Sequence, residues 1–311
     1  MGAPTFSLGL DLGGTKIEAA LFDPQSRQVW RHRTATPAGD YAATVRALAA
    51  EVAQARSVVV GLASDALMTV GVGTPGTQTA SGRMKNCNST CLNGMPLQAD
   101  LQAAIGLAVR LANDANCMAL SEATDGAGAG AAVVFASILG TGTGAGIVVN
   151  GQLLSGANGL AGEWGHNPLP WGAAGEDMPH LCYCGQSQCI ESFISGPGLA
   201  RDHARRNSGT LDAITIAAHA AAGDARCAAT LQRHARRLAR ALAAVINLLD
   251  PDVIVLGGGL SAMQHLYQQV PAQWAEWVLS AGPEEPVRTR LLPAQHGDAS
   301  GVRGAAWLWQ G

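Results

Sequence analysis

The chain has 311 residues, enough for two medium-sized domains or one large one. Apolar residues make up 48% and charged residues 14%, a balance that supplies a large buried core and excludes a disordered chain. The net charge of −3 argues against a nucleic-acid partner, and no apolar run is long enough to cross a bilayer. The opening Met-Gly-Ala-Pro-Thr-Phe-Ser lacks the basic and then apolar regions of an export signal, so a soluble cytoplasmic protein is expected.

Residues 5–11 read as a strand that Gly13-Gly14-Thr15-Lys16 turns, with further strands at 17–23 and 28–34. A glycine turn between two strands differs from a dinucleotide fingerprint, in which the glycines open a helix. Hairpin amides with the Thr15 hydroxyl suit a phosphate, although glycine pairs are also ordinary hairpin turns. Asp11, projecting at the strand end, suits an outer-sphere magnesium contact. Asp40 caps a helix predicted over 41–56, with Val45, Leu48, Ala49 and Val52 at helical spacing. A short strand over 68–73 ends in Gly73-Thr74-Pro75-Gly76. The polar run Lys85-Asn-Cys-Asn-Ser-Thr90 has no periodicity, and its amides offer paired donors and acceptors for sugar hydroxyls. A helix over 96–105 and a strand over 107–111 follow. That strand runs through Asn113-Asp114 into a helix reaching Glu122. Asp114 reads equally as a helix N-cap and as a carboxylate held at the mouth of a cleft.

A buried strand at 133–139 leads into Gly140-Thr141-Gly142-Thr143-Gly144-Ala145-Gly146 and a strand over 147–150. Asn150-Gly151 signals a type I′ hairpin. Strand, glycine turn with Thr, strand repeats the plan of residues 8–23, which predicts an internally duplicated architecture with two phosphate-facing hairpins. Next comes Gly-Glu-Trp-Gly-His at 162–166, followed by Cys182, Cys184 and Cys189. One imidazole and three thiols make a tetrahedral zinc set; a disulfide from Cys182 or Cys184 to Cys189 is the rival. Zinc is favoured because intracellular thiols stay reduced. The flanking carboxylates Glu163 and Glu191 are not needed by zinc. A helix is predicted over 191–206, then a long one over 224–249 whose Arg233, Arg236, Arg237 and Arg240 read as a solvated face. A strand at 253–256 enters Gly257-Gly258-Gly259, where glycine lets a base or ribose lie close to the backbone, with a helix from Ser261. A strand at 288–292 and a helix over 300–309 close the chain. Cys87, Cys91, Cys117 and Cys227 have no evident partner and read as buried or inert. No low-complexity linker separates the halves, so two closely joined domains with a cleft are expected.

These motifs resemble the ROK sugar kinases of the actin-like ATPase superfamily. The carriers are Asp11-Leu-Gly-Gly-Thr-Lys16, Leu139-Gly-Thr-Gly-Thr-Gly-Ala-Gly146, Gly162-Glu-Trp-Gly-His166, Cys182–Glu191 and Leu256-Gly-Gly-Gly-Leu-Ser261. They span nearly the whole chain in the family's order. Lys85–Thr90, the run from Glu163 to Trp171 and the run from His296 to Trp307 resemble bacterial ROK fructokinases more closely. One departure is Gln188, where the family usually has Gly before the last zinc Cys. A positive φ there would cost Gln188 roughly 1 kcal/mol.

The resemblance implies a two-domain α/β fold of the actin-like (ribonuclease H-like) type with an interdomain cleft. Residues 1–112 with 296–311 would form a smaller nucleotide and sugar domain, and 113–295 a larger one carrying zinc. It implies ATP with Mg2+, held through Gly9, Asp11, Gly13, Gly14, Thr15, Lys16, Gly140, Thr141 and Gly142, with Gly257, Gly258 and Gly259 bordering the adenosine. Asp114 would be the general base. Asn88, Asn113, Glu163, His166 and Glu191, with Asp114, would bind the hexose, and His166, Cys182, Cys184 and Cys189 would hold structural Zn2+. With one ring nitrogen on zinc, His166 would turn the other to a sugar hydroxyl. The implied reaction is phosphorylation of a hexose 6-hydroxyl, with fructose as the leading substrate. Glucose, mannose and N-acetylglucosamine are alternatives, and a homodimer is a further expectation. A sugar-responsive repressor of the same family is the non-enzyme alternative. It is disfavoured by the acidic charge and by the first strand beginning at residue 5, which leaves no room for a helix-turn-helix.

Overall fold

The computed structural model describes residues 3–310, apart from 173, 174, 176, 179 and 280–283. The chain divides into two units: residues 1–126 with 151–161 and 298–311, and residues 127–150 with 162–297.

The first unit is built on β1 (Thr5–Leu12), β2 (Lys16–Phe22), β3 (Gln28–Ala35), β4 (Leu67–Thr74) and β7 (Val109–Asn113), in the order β3-β2-β1-β4-β7. The pair β5 (Thr77–Gln78) and β6 (Met84–Lys85) lies apart from that sheet. β1 runs parallel to β4 with Asp11 opposite Gly73, and β4 parallel to β7 with Thr74 opposite Asn113. The carboxyl ends of three parallel strands thus bring Asp11, Thr74 and Asn113 to one edge. Leu8, Leu10, Ile17 and Leu21 are fully buried, as expected of strands covered on both faces. One cover is α1 (Tyr41–Leu62) and α2 (Leu97–Ile105); the other is α3 (Asp114–Asp125) and α9 (Ser300–Trp307). α1 overruns its expected end at Arg56. The β-branched run Val58-Val59-Val60 is a poor helix former, but burial of Ala55 and Val59 against the core overrides propensity.

α9 sits against the sheet where side chains are missing. A Cβ on Gly9 would lie 1.9 Å from the Val302 carbonyl, one on Gly71 1.9 Å from that of Ala305, and one on Gly304 1.7 Å from that of Cys117 in α3. Gly9, expected among the nucleotide contacts, is therefore a mid-strand packing glycine under α9. α3 packs on α9, so Asp114 lies in the first unit, whereas the sequence reading began its second domain at residue 113.

The second sheet comprises β8 (Val133–Leu139), β9 (Thr143–Val149), β10 (Gln152–Leu153), β11 (Val253–Gly257) and β12 (Arg290–Pro293), ordered β10-β9-β8-β11-β12. An antiparallel hairpin followed by two parallel strands repeats the first sheet, as the duplicated motifs predict. The unit boundary falls inside its last hairpin, where Asn150 and Gly151 have φ of 50° and 75°, as a type I′ turn needs. β9 begins at Thr143, not at Ile147. Its Gly-Ala composition reads as loop, yet every residue from Thr143 to Val149 pairs with β8.

Helices α4 (Glu191–Ile194), α5 (Gly196–Arg206), α6 (Ala213–Ala221) and α7 (Ala225–Leu249) complete this unit, with the short α8 (Leu266–Gln269). The single helix expected over 191–206 is broken at Ser195, which caps α5 by accepting from the Gly198 amide, because Pro197 cannot continue a preceding helix. The helix expected from Ser261 is a 3-10 turn over Gly259–Ala262. The arginines of α7 depart most from expectation. Arg236 is exposed, but Arg237 and Arg240 are 2% and 1% exposed. Arg237 reaches Asp177 at 2.8 Å and Asp202 at 2.9 Å, and Arg240 reaches Asp177 at 2.6 Å and the Trp171 carbonyl at 2.7 Å. No helix among the described residues is long and apolar enough to cross a membrane.

Candidate active site

In the first unit the β1–β2 turn closes with the Gly13 amide donating to the Lys16 carbonyl at 3.0 Å, and the Thr36 hydroxyl donating to the Gly13 carbonyl at 2.8 Å. These bonds fix the hairpin while Gly14, Thr15 and Lys16 remain exposed at its tip. Asn88 is exposed as well, and a cavity of about 300 Å3 is lined by Gly14, Thr36, Asn88 and Leu92.

Asn113, at the end of β7, caps α3, its side chain accepting from the Asn116 amide at 2.7 Å. The cap is therefore filled, and Asp114 is the first helical residue with a side chain free for another task. One Asp114 oxygen accepts from the Ala115 amide at 2.8 Å, which fixes the carboxylate at the helix N-terminus. Asp114 keeps a face open to solvent. Enough protein surrounds its carboxyl that lost hydration raises its pKa, against the pull of the local amides. Asp11 is pushed up to about 6, first by burial, then by the charges of Asp114 and Glu18, with Lys16 acting in opposition. Among the described residues neither aspartate has an ion-pair partner.

In the second unit, Gly140–Gly142 turn β8 into β9. The Gly140 carbonyl accepts from the Gly196 amide at 2.8 Å, and one Glu191 oxygen accepts from the Thr143 amide at 2.8 Å. A Cβ on Gly142 would come 2.8 Å from that same oxygen. Glu191, expected only as a sugar ligand, thus has one oxygen committed to the glycine hairpin, while the other makes only a long contact, accepting from the Cys182 thiol at 4.0 Å. Glu163 is half-buried at the start of a 3-10 turn (Trp164–His166) and makes no ion pair among the described residues. Gly258, with φ of 78°, packs on β8, where a Cβ would meet the Leu139 carbonyl at 2.5 Å. Gly259 and Gly140 have open space in the side-chain direction.

His166, Cys182, Cys184 and Cys189 come together, their donor atoms all within 4.8 Å of one another. Cys184 and Cys189 sulfurs are 3.6 Å apart, and His166 Nδ1 is 3.7 Å from Cys182 Sγ. Ligands on a tetrahedral zinc with bonds of about 2.0–2.3 Å are separated by about 3.6–3.8 Å, so the set fits such an ion. Among the described residues all the cysteines are free thiols, which removes the rival disulfide. Nδ1 faces the thiols, and Nε2 lies 3.0 Å from the Tyr183 hydroxyl, with the rings edge to face. The nitrogen expected to face a sugar is held by Tyr183, a residue that sequence reasoning missed. Its position between two cysteines was the available signal. Gln188 has φ of 64°, the left-handed conformation that the family glycine anticipates.

Thr74 was missed as well. It is buried where β4 ends, its hydroxyl donating to the Gly76 and Ala112 carbonyls at 3.1 and 3.2 Å. It braces the strand end next to Asn113.

The model of the ROK family matches residues 7–311. N-acetyl-D-glucosamine kinase of Yersinia pseudotuberculosis serotype O:1b is 40% identical over 305 residues, 96% of this chain and 97% of that one. The ROK hexokinase of Thermus thermophilus superposes with a TM-score of 0.79 at 30% identity, over 97% of this chain and 96% of that one. A ROK family glucokinase from Streptomyces griseus, solved with glucose and AMPPNP, gives 0.75 at 28% identity over 98% and 100%. The repeated sheets carry the actin-like ATPase fold of these neighbours. On the match to nearly its full length, the chain belongs to the ROK family.

Proposed function

We propose that the protein transfers the γ-phosphoryl group of ATP to the 6-hydroxyl of a hexose, and that the hexose is N-acetyl-D-glucosamine. The observation that carries the reaction is Asp114: a carboxylate pinned at a helix N-terminus, relieved of capping by Asn113, with one oxygen unclaimed and its pKa raised. A raised carboxyl pKa strengthens a general base. Asp114 would take the proton from the sugar hydroxyl as that oxygen attacks phosphorus. Phosphoryl transfer is mostly positioning and charge neutralisation, so one well-placed base with phosphate-facing amides suffices in outline. Bound with the nucleotide, Mg2+ would neutralise phosphate charge, and Asp11 would hold its hydration shell. The hairpin amides at 13–16 and 140–142 would face phosphates, and Gly259 leaves open backbone for the adenosine.

For the sugar, Asn88, Asn113, Glu163 and the Glu191 oxygen that does not bond the Thr143 amide are the proposed ligands. The His166 and cysteine set would hold zinc through Nδ1 and three sulfurs, tying together the chain segments that carry Glu163 and Glu191. His166 then supports the sugar site through its ring, with Nε2 on Tyr183.

The fructose expectation gives way to N-acetyl-D-glucosamine because the 40% identical relative carries that name over nearly its full length. ADP release over a panel of hexoses tests the choice: kcat/KM is expected to be highest for N-acetyl-D-glucosamine. Higher values for fructose would restore the fructokinase reading. Because Asp114 must be ionised to act, kcat/KM should fall as pH drops through its raised pKa, with an acid limb above the ordinary carboxylate range. An acid limb at the ordinary value of about 3.9 would remove Asp114 from that role.

A further inference from the structure

We propose that the second unit contains an anion site, separate from the hairpins, that binds a phosphate dianion between Arg201 and Arg205. The two arginines stand four residues apart on α5 and line one cavity of about 490 Å3 with His180 and Asp202. Like charges at that spacing repel on a helix surface. Burial, and then the neighbouring Arg205, pull the Arg201 pKa down. Among the described residues neither guanidinium has a carboxylate partner. Arg201 donates to the Ser192 carbonyl at 2.9 Å, and Arg205 only reaches the Met178 carbonyl at 3.4 Å.

Asp202, the carboxylate on the wall, is already claimed. Arg233 takes one oxygen at 2.7 Å, and Arg237 takes the other at 2.9 Å, with Arg206 3.6 Å away. It does not neutralise Arg201 or Arg205. What remains is a pair of forked donors facing a space within the usual range for small ligands. Guanidinium forks match the planar oxygen pairs of phosphate, and a dianion between them turns the i, i+4 repulsion into two charge-assisted contacts. His180 adds a ring N–H in either protonation state.

The site lies close to the chemistry along the chain. Ser192, whose carbonyl Arg201 holds, follows Glu191, and Glu191 anchors the glycine hairpin through Thr143. An anion that draws Arg201 away from Ser192 would loosen α4, so occupancy is expected to raise the KM for the sugar.

The test is calorimetric titration of inorganic phosphate, and separately glucose 6-phosphate, into the full-length protein saturated with Mg2+ and AMPPNP. The nucleotide fills the proposed phosphate hairpins beforehand. Wild type is expected to bind phosphate at one site. Arg205→Ala and Arg201→Ala should each weaken binding by about tenfold or more, the loss of one charge-assisted contact. Arg205 is exposed and makes one long contact, so its variant should keep the wild-type melting temperature and phosphate-free turnover. If Arg201→Ala misfolds, Arg205→Ala decides. Absence of binding to wild type, or unchanged affinity in Arg205→Ala, overturns the proposal. Tighter binding of glucose 6-phosphate with the same sensitivity would identify a phosphate ester as the occupant; equal binding would identify the free anion.

Discussion

The two glycine hairpins share a topology and differ in what stands behind them. Behind the first, Asp11 and Asp114 lie near each other with no ion-pair partner among the described residues, and both are held above the ordinary carboxylate range. Behind the second, Glu191 is bonded to the hairpin amide and flanked by the histidine and cysteine set. Further back, Asp177 and Asp202 are saturated with arginine. One half keeps its carboxylates unpaired, which raises the cost of ionising them. The other spends its charges on rigidity. Duplication of a backbone plan therefore does not duplicate its chemistry, because side chains outside the hairpin decide the role.

Substitutions on either side can break that contrast. The largest effect is expected at Asp114: Asp114→Asn should lower kcat about a thousandfold, the usual worth of a general base, while calorimetry finds sugar affinity largely kept. Near wild-type turnover would move the chemistry elsewhere. In the second unit, Arg240→Leu should cost about 3 kcal/mol in urea unfolding, because it leaves Asp177 short of a partner inside the protein. A loss under 1 kcal/mol would show that the pair is a surface-like contact.

The third variant has the opposite sign. A carboxyl whose folded pKa is about 6 and whose ordinary value is 3.8 costs stability when ionised, and that cost fades as pH falls from 6 toward 3.8. Asp11→Asn should therefore stabilise the protein by about 1–2 kcal/mol at pH 8, less than the full shift because Lys16 and the solvent that still reaches the site ease the charge. The gain should vanish near pH 4. Thermal melts at the two pH values check both the sign and the window. The smallest effect belongs to Gln188→Gly, expected to add about 1 kcal/mol by relieving the left-handed backbone before Cys189. An unchanged melting temperature would mean that the surrounding loop already absorbs the strain.

What the sequence disclosed follows the range of the interactions involved. Both hairpins and the clustering of His166 with the three cysteines were legible because glycine turns and closely spaced ligand types are local signals. The repeated sheet order followed from the repeated motif. The buried arginines of α7 were not legible. Their partner Asp177 lies some sixty residues away, and an arginine on a helix reads as solvated until its partner is known. Gly9 was misread for a related reason: the helix that crowds it is nearly three hundred residues later in the chain. From its position alone Asp114 read equally as a cap or a cleft carboxylate, the family resemblance assigned it as the base, and the structure adds that its neighbour Asn113 fills the cap. The choice of sugar was least legible, since hydroxyl-binding residue types do not distinguish hexoses.

The placement of α9 has a consequence for how the protein is made. Its backbone rests on Gly9 and Gly71, and Ser300 donates to the buried Glu122 at 2.8 Å. The first unit thus lacks part of its own cover until α9, far later in the chain than β1 and β4, has been translated. At about 5–20 residues per second, that interval is tens of seconds. During it, the glycine-floored face of β1 and β4 waits open, and the second unit, whose residues are by then nearly all synthesised, can fold first.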